Sequence, residues 1–479
     1  MTEKLSSASA FRIKNFSLRD KPFQFKLLLI SSLAFLVRIL YVFFVEKGDP
    51  LNGDAFYYHY ASQLLVDGLG FTEPYRYMFG GEQELLFVDN PSSLPVTPNR
   101  DLPVGHVEPT AGHPPLWVIV LAFPIFLGFK SIFIQQLFSS LLGAIGVFAV
   151  GWAAREVAGE RTGLVAAGLA SIYAFLWLND GLLMSETLVV LIVALLIGFS
   201  RRLYSSNSIV SFIVFAVIGG LAALTRAELI VALPFLALPI LLNSSQTLKR
   251  RLLNYSAVGL IVALIIMPWI VRNFIQFEEP VLLSNGSGIL IAQTNCDATY
   301  FGDKQGYWEY MCGLPQPLGA DGEATDESVR DKEYRKRGID YANEHKGQLF
   351  RSVIPKRIAR LWGFYAPIEQ LRADKLVEGR SFRLSVLGII QYYALLPFSI
   401  LGIVAVRKEK GFLLPLVTIP VITTLLAAMT MGTTRYRVSS EVSIIILAAI
   451  GMHAFMKMYK KMNLGNMTNR AHFSNKEEN

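Results

Sequence analysis

Charge is scarce in this sequence: 17% of its 479 residues are Asp, Glu, Lys or Arg, against about 25% in an ordinary soluble domain. With a mean hydropathy of +0.41, that shortage excludes a disordered chain, a coiled coil and a water-soluble enzyme built around one large core. Cysteine is scarcer still. Two residues, Cys296 and Cys312, exclude a disulfide-built scaffold and every multi-cysteine metal site. Also missing are a Walker phosphate loop, a Rossmann glycine fingerprint, a His-x-x-x-His pair and a Gly-x-Ser-x-Gly elbow. No fixed-period repeat is present, and no inverted hydropathy symmetry or broken-helix pair of the transporter kind stands out. The first 26 residues carry six Lys/Arg and lack the short apolar core and small-residue cleavage site of a secretory leader. The formal charge of +8 does not mark a nucleic-acid binder, because the basic residues punctuate apolar runs instead of gathering in a patch.

What the sequence has in abundance is long apolar runs. Ten reach spanning or near-spanning length: 27–45, 132–152, 163–178, 184–200, 209–224, 229–242, 253–271, 385–406, 412–431 and 438–456. Run 229–242 is short for the ~20 residues a span needs and is interrupted by Pro234 and Pro239. An eleventh, 114–129, is short and contains Pro124. Charge decides its status. If 114–129 does not cross, 21 of the 45 Lys/Arg fall on one side, with both termini. The other side then receives loop 46–130, with four Lys/Arg against ten Asp/Glu, and loop 272–384, with sixteen of each. That asymmetry matches the positive-inside rule, so 114–129 reads as a helix lying in the outer interface. The expected fold is all-α and polytopic: about ten spans, both termini cytoplasmic, two large loops outside. A short amphipathic helix follows Asp54, because Tyr57, Tyr60, Ala61, Leu64 and Leu65 recur at helical spacing. In the second loop, 280–300 reads as strand or turn and 320–360 as helix. Both cysteines fall in that loop, where an extracytoplasmic compartment permits a disulfide.

Ionisable groups at the edge of an apolar region are costly and are functional candidates by default. Asp54 follows the first span; it reads either as a helix N-cap or as a general base facing a cavity. Asp180 and Glu186 flank the turn between the third and fourth spans. Asp180 before Gly181 is turn chemistry, whereas Glu186 lies inside an apolar run and needs a partner. Arg226 and Glu228 occupy the next outer turn, as a helix-packing pair or as part of a site. Arg272, Arg435 and Arg437 would ordinarily be headgroup anchors. On the outer side, where the rule disfavours them, the four arginines are candidates to bind an anion, whose phosphate oxygens suit the guanidinium fork. His113 opens the interfacial helix on the same face, with Asp180, Tyr57 and Tyr436 as accessory candidates.

Taken in order, GDAFYYHYA (53–61), GHPPLW (112–117), AAREVAGERTG (153–163), SETL (185–188), LTRAEL (224–229), PWIVRN (268–273) and TRYR (434–437) resemble the polytopic GT-C glycosyltransferases. That group includes the protein O-mannosyltransferases and the lipid A aminoarabinose transferase, and the resemblance is to glycosyltransferase family 39. It implies a GT-C bundle with extracytoplasmic interfacial helices in the cell (inner) membrane. The implied activity is hexosyl or pentosyl transfer from a polyprenyl-phosphate sugar to a hydroxyl of a glycan, lipid or protein. The family's first-loop aspartate falls on Asp54 and its second acidic site on Glu186. The basic residue before proline is His113 here, where some members have Lys. Ala55 follows Asp54 where the family often has Glu, so a divalent metal is not supported. The bilayer and the lipid-linked donor are the implied partners, with no other cofactor.

On that reading 1–26 is a cytoplasmic segment and 27–271 the catalytic membrane module with loop 46–130. Residues 272–384 form an outer subdomain, 385–456 the C-terminal spans and 457–479 a cytoplasmic tail. Asp54 is the expected base, with a pKa raised by burial, and Glu186 its helper. Arg272, Arg226, Arg435, Arg437 and His113 are the expected phosphate ligands. A transporter or lipid flippase is the main rival reading, and a non-enzymatic receptor or assembly factor that binds through the two outer loops is the second. The charge count predicts that a cysteine placed near residue 158 reacts with thiol reagents only from the cytoplasmic side; labelling from outside would reverse the topology.

Overall fold

The computed structural model describes residues 21–205, 208–243, 245–407 and 410–477. Most of the N-terminal segment and the last two tail residues lie outside that range. Helix α1 (Phe23–Tyr41) runs through a π-helical turn at Val42–Glu46 into the first loop. That loop holds α2 (Gly53–Val66), α3 (Pro74–Phe79) and α4 (Leu116–Phe126). The bundle continues with α5 (Ile132–Ala158), α6 (Glu160–Ile172), α7 (Ala174–Gly181), α8 (Glu186–Ser205), α9 (Ile209–Thr225), α10 (Leu229–Leu242) and α11 (Leu248–Gln276). The second loop folds as α12 (Ser287–Thr294), α13 (Asp297–Tyr300), α14 (Glu327–Glu344), α15 (Lys346–Gln348), α16 (Ile354–Leu361) and α17 (Pro367–Glu378). The closing helices are α18 (Phe382–Val406), α19 (Lys410–Met429) and α20 (Val438–Glu477).

Among the described residues six helices are long and apolar enough to cross a membrane, and the bent pair α6–α7 makes up to seven. Helices α9, α10 and the apolar part of α19 are shorter; the expected ten counts all three as spans. Helix α4 has eleven residues, about 16 Å of rise, too little for a core of about 30 Å. Both of its ends lie with the loops. His113 precedes it beside Tyr58, and soon after it Gln135 of α5 bonds His59 at 2.5 Å. The 114–129 segment therefore begins beside α2 and is followed by a return to α2.

Two sequence expectations need correction. Residues 280–300 contain α12 and α13 instead of a strand; among the described residues the one β contact is an isolated bridge, Thr72 with Pro109. The run 163–178 is not one helix, since α6 and α7 meet at a 53° bend. A break in an apolar helix is stable only if the freed backbone groups find partners. Here Gln391 of α18 supplies both: its Oε1 accepts from the Ala174 N–H at 2.8 Å and its Nε2 donates to the Ile172 carbonyl at 3.0 Å. Trp177 donates to the same carbonyl at 3.2 Å. So a broken pair does exist, but its backbone is sealed by protein.

Beneath the loops, Arg38 of α1 meets Asp180 of α7 at 2.5 Å, both nearly fully buried, and Thr187 donates to the other Asp180 oxygen at 2.6 Å. A side chain at Gly143 of α5 would overlap that carboxylate, so the glycine makes the pair possible. The two loops are clasped by Glu108, which takes Arg76 at 3.1 Å from the first loop and Arg330 of α14 from the second. Glu327 of α14 accepts the Ala111 N–H at 2.9 Å. Cys296 and Cys312 are joined in a disulfide. Truncating one partner of a buried ion network leaves the others uncompensated and costs about 3–5 kcal/mol. Glu108→Ala is therefore expected to lower the thermal unfolding midpoint and open the loops to limited proteolysis; an unchanged midpoint would contradict the clasp.

Candidate active site

The clasped loops lie over the ends of α7–α10 and α20, and charge converges beneath them. Helix α2 opens at Gly53, whose φ is +53°. A Cβ there would come 2.8 Å from the Val377 carbonyl oxygen, so only glycine lets the first turn of α2 close on the last turn of α17. Asn52, not Asp54, occupies the N-cap position, which leaves the Asp54 carboxylate free for other partners. Glu186 opens α8 after a tight turn in which Leu183 adopts a φ of 56°, a conformation costly for a branched residue. The turn is held by Trp117 of α4, whose indole N–H donates to the Leu183 carbonyl at 2.7 Å.

Arg435 stands at the centre, in the turn before α20. Each of its three nitrogens donates to a different carboxylate. Nε meets Glu186 Oε1 at 2.6 Å, Nη1 meets Glu378 Oε1 at 2.6 Å, and Nη2 meets Asp54 Oδ2. Arg226, just past α9, adds a second cation to Glu186 at 3.3 Å and pairs with Glu228 at 3.1 Å, its guanidinium 5.5 Å from the centre of the Tyr436 ring. His113 Nε2 lies 3.8 Å from Asp54 Oδ1, its ring edge-on to Tyr57 and its Nδ1 3.2 Å from the Tyr58 hydroxyl. Tyr58 also donates to Ser185 Oγ at 3.3 Å. Glu186 is fully enclosed, whereas the Asp54 and His113 side chains remain 29% and 28% exposed. Asp54 and His113 are thus the solvent-facing edge of the cluster. Among the described residues no group of three His, Cys, Asp or Glu side chains is arranged to hold a metal ion.

Burial works to raise the Asp54 carboxyl, but Arg435, and after it His113, outweigh burial and hold it well below the usual carboxylate range. The expectation of a raised pKa is thus reversed, because the sequence could not show a guanidinium in direct contact. Burial pushes the His113 ring below its ordinary value; Asp54 opposes this, and Arg435 and Arg226 reinforce it.

Of the residues singled out from sequence, Asp54, His113, Glu186, Arg226, Arg435, Tyr57 and Tyr436 come together here. Three do not. Arg272 spends its donors on the carbonyls of Thr110 and Phe71, at 2.9 and 3.2 Å, and stacks on Trp269. It braces the first loop one layer out, through the Thr110–Tyr57 contact of 3.3 Å. Arg437 is fully buried, bonded to Glu441 at 2.6 Å and lying over Tyr392. Asp180 belongs to the Arg38 pair. Glu378 was missed. Its signal was faint: one of sixteen acids in its loop, set apart only by lying close to the next apolar run.

The family described as dolichyl-phosphate-mannose-protein mannosyltransferase matches residues 112–271, which include His113, Glu186 and Arg226. No curated protein matches the chain. Among solved structures, the archaeal oligosaccharyltransferase AglB from Archaeoglobus fulgidus, in complex with an inhibitory peptide and a dolichol-phosphate, is similar over 94% of this chain and 52% of its own. The identity is 15% and the TM-score 0.54. The apo form of that enzyme is similar over 93% and 52%, at 14% identity and a TM-score of 0.51. ArnT from Cupriavidus metallidurans, bound to undecaprenyl phosphate, aligns over 89% of this chain and 78% of its own at 15% identity, with a TM-score of 0.40 that is too low to argue from. The chain spans about half the length of the oligosaccharyltransferase it matches. At such identities the likeness shows the fold alone, an arrangement of membrane helices shared with that oligosaccharyltransferase.

The separation of Arg437 from the cluster has a direct consequence. Arg437→Ala strands Glu441 in the bundle and is expected to cost about 3–5 kcal/mol of stability, while the fraction that folds keeps normal turnover. A variant of full stability with lost turnover would move Arg437 into the site.

Proposed function

We propose that this protein is a membrane glycosyltransferase that moves a sugar from a polyprenyl-phosphate carrier to an acceptor hydroxyl on the extracytoplasmic face. The observation that carries the reading is the junction of Arg435 with Asp54: a guanidinium fork suited to an anion and a partly exposed carboxylate lie side by side. The family match over 112–271 and the GT-C fold support it. The dolichol-phosphate bound to AglB supports a lipid phosphate as the donor's leaving group.

In the reaction, the acceptor oxygen forms a bond to the anomeric carbon as the bond from that carbon to the phosphate oxygen breaks. The acceptor proton passes to Asp54 and then to solvent, and the electron pair leaves with the phosphate. A sugar phosphate already carries a good leaving group, so the main need is to stabilise its growing negative charge. Arg435 and Arg226 do this in a water-poor site. A single displacement inverts the anomeric centre. In the resting site Asp54 is a weak base, since Arg435 holds its charge. A phosphate that draws Arg435 toward itself loosens that hold and makes Asp54 more basic when an acceptor can use it. Glu186, held by Arg226 and Arg435, orients the fork; the sugar and the acceptor class follow from neither group.

A flippase would also need a lipid-phosphate site, but not a base beside it. Loss of a general base typically costs about 10²–10⁴-fold in rate. Asp54→Asn is expected to lose turnover to that extent in a purified assay while still binding the carrier, and near-normal turnover would refute the mechanism. Arg226→Ala is expected to weaken carrier-phosphate binding by about 1.5–3 kcal/mol, one charge-assisted hydrogen bond; equal affinity would remove Arg226 from the phosphate site.

A further inference from the structure

Around Arg435 the acids outnumber the bases. Asp54, Glu186 and Glu378 all touch its guanidinium, and among the described residues Arg226 is the one other arginine or lysine bonded to any of the three. The three acids are not equally anchored. Glu186 has Arg226 and the Ser185 hydroxyl as further partners, at 3.3 and 3.4 Å. Asp54 has His113. Glu378 has only Arg435: its Oε2 is buried and has no hydrogen-bond partner among the described residues. That bare oxygen faces Gly53, where a Cβ would lie 3.7 Å from it. Glu378 as a whole is 8% exposed. A buried carboxylate with one charged partner and one orphaned oxygen is the member of the cluster that most readily gives up its charge.

We propose that Glu378 is a proton-coupled placeholder for the carrier phosphate, holding the Nη1 edge of Arg435 in the empty enzyme and releasing it to a phosphate oxygen when Glu378 takes a proton from solvent. This rests on the reading of Arg435 as the phosphate ligand and adds to it a positioning residue and a proton. An anion entering beside three carboxylates would otherwise be repelled; neutralising one of them keeps the local charge unchanged as the phosphate arrives. Burial pushes Glu378 up to about 7, with Arg435 opposing and Asp54 reinforcing that shift. The groups facing it are Arg435 from the turn before α20, Asp54 of α2 and Glu186 of α8. Arg380 lies just beyond its own helix, Tyr75 on α3 and Tyr307 in the second loop. Asp374, also raised by burial, pairs with Arg380 at 3.9 Å rather than with Arg435.

The sign follows. Below about pH 7 Glu378 already carries the proton and the anion enters freely. Above it, each pH unit costs about tenfold in affinity. The test uses a polyprenyl methyl phosphodiester, which holds one negative charge throughout the neutral range and adds no titration of its own. Its affinity for the detergent-solubilised full chain should fall about tenfold per unit above about pH 7. Glu378→Gln should bind with no such slope. A flat wild-type profile, or a Glu378→Gln profile with the wild-type slope, overturns the proposal but leaves Arg435 as the phosphate ligand. If Glu378→Gln fails to fold, calorimetry of wild type in buffers of different ionisation enthalpy decides. Uptake of about one proton per diester bound at about pH 8 supports the proposal, and no uptake overturns it. Arg435→Ala binding the diester as tightly as wild type would sink the phosphate reading, and the placeholder with it.

Discussion

One guanidinium shared by three carboxylates organises this structure. Arg435 is reached by Asp54 from the first loop, Glu186 from the start of α8 and Glu378 from the end of the second loop. These acids are distant in sequence, and the elements that bear them must be held in register within a few tenths of an ångström for all three bonds to form. Much of the surrounding architecture serves that register. Gly53 lets α2 and α17 touch, Trp117 pins the strained turn before Glu186, and Glu108 locks the two loops together. A cluster with more acid than base repels an entering anion unless one of its acids is neutralised or moves away.

The general outline was legible because it depends on quantities that add along the chain. Hydropathy located the runs, and the bias of Lys and Arg placed the two loops and the intervening turns together. The short length of 114–129 agrees with the eleven residues of α4. Residue-level assignment was harder where type and location coincide. Arg435 and Arg437 are two positions apart, yet one faces the opening and the other is folded back on Glu441. Nothing in TRYR separates them; the direction in which the turn leaves α19 does. Arg272 illustrates the same limit, since its guanidinium is consumed by loop carbonyls that no hydropathy profile can place.

Other failures share a physical cause, which is long-range partnering. The break between α6 and α7 is stable because Gln391, more than two hundred residues later, takes up the freed backbone groups. Asp54 is a weaker base than burial alone suggests because Arg435 arrives from the far end of the chain. Glu378 gains its importance from Arg435 and Gly53, not from its immediate neighbours in sequence.

The central claim is that the opening at Arg435 and Asp54 receives the carrier's phosphate. Photocrosslinking with a polyprenyl phosphate bearing a diazirine on the carbons next to the phosphate tests it most directly, with labelled peptides read by mass spectrometry. The account predicts label within 53–61, 226–228 or 433–438, and its loss when unlabelled carrier competes. Competable label confined to the polar hollow bordered by Pro317, Leu318, Glu333 and Arg337 would contradict it.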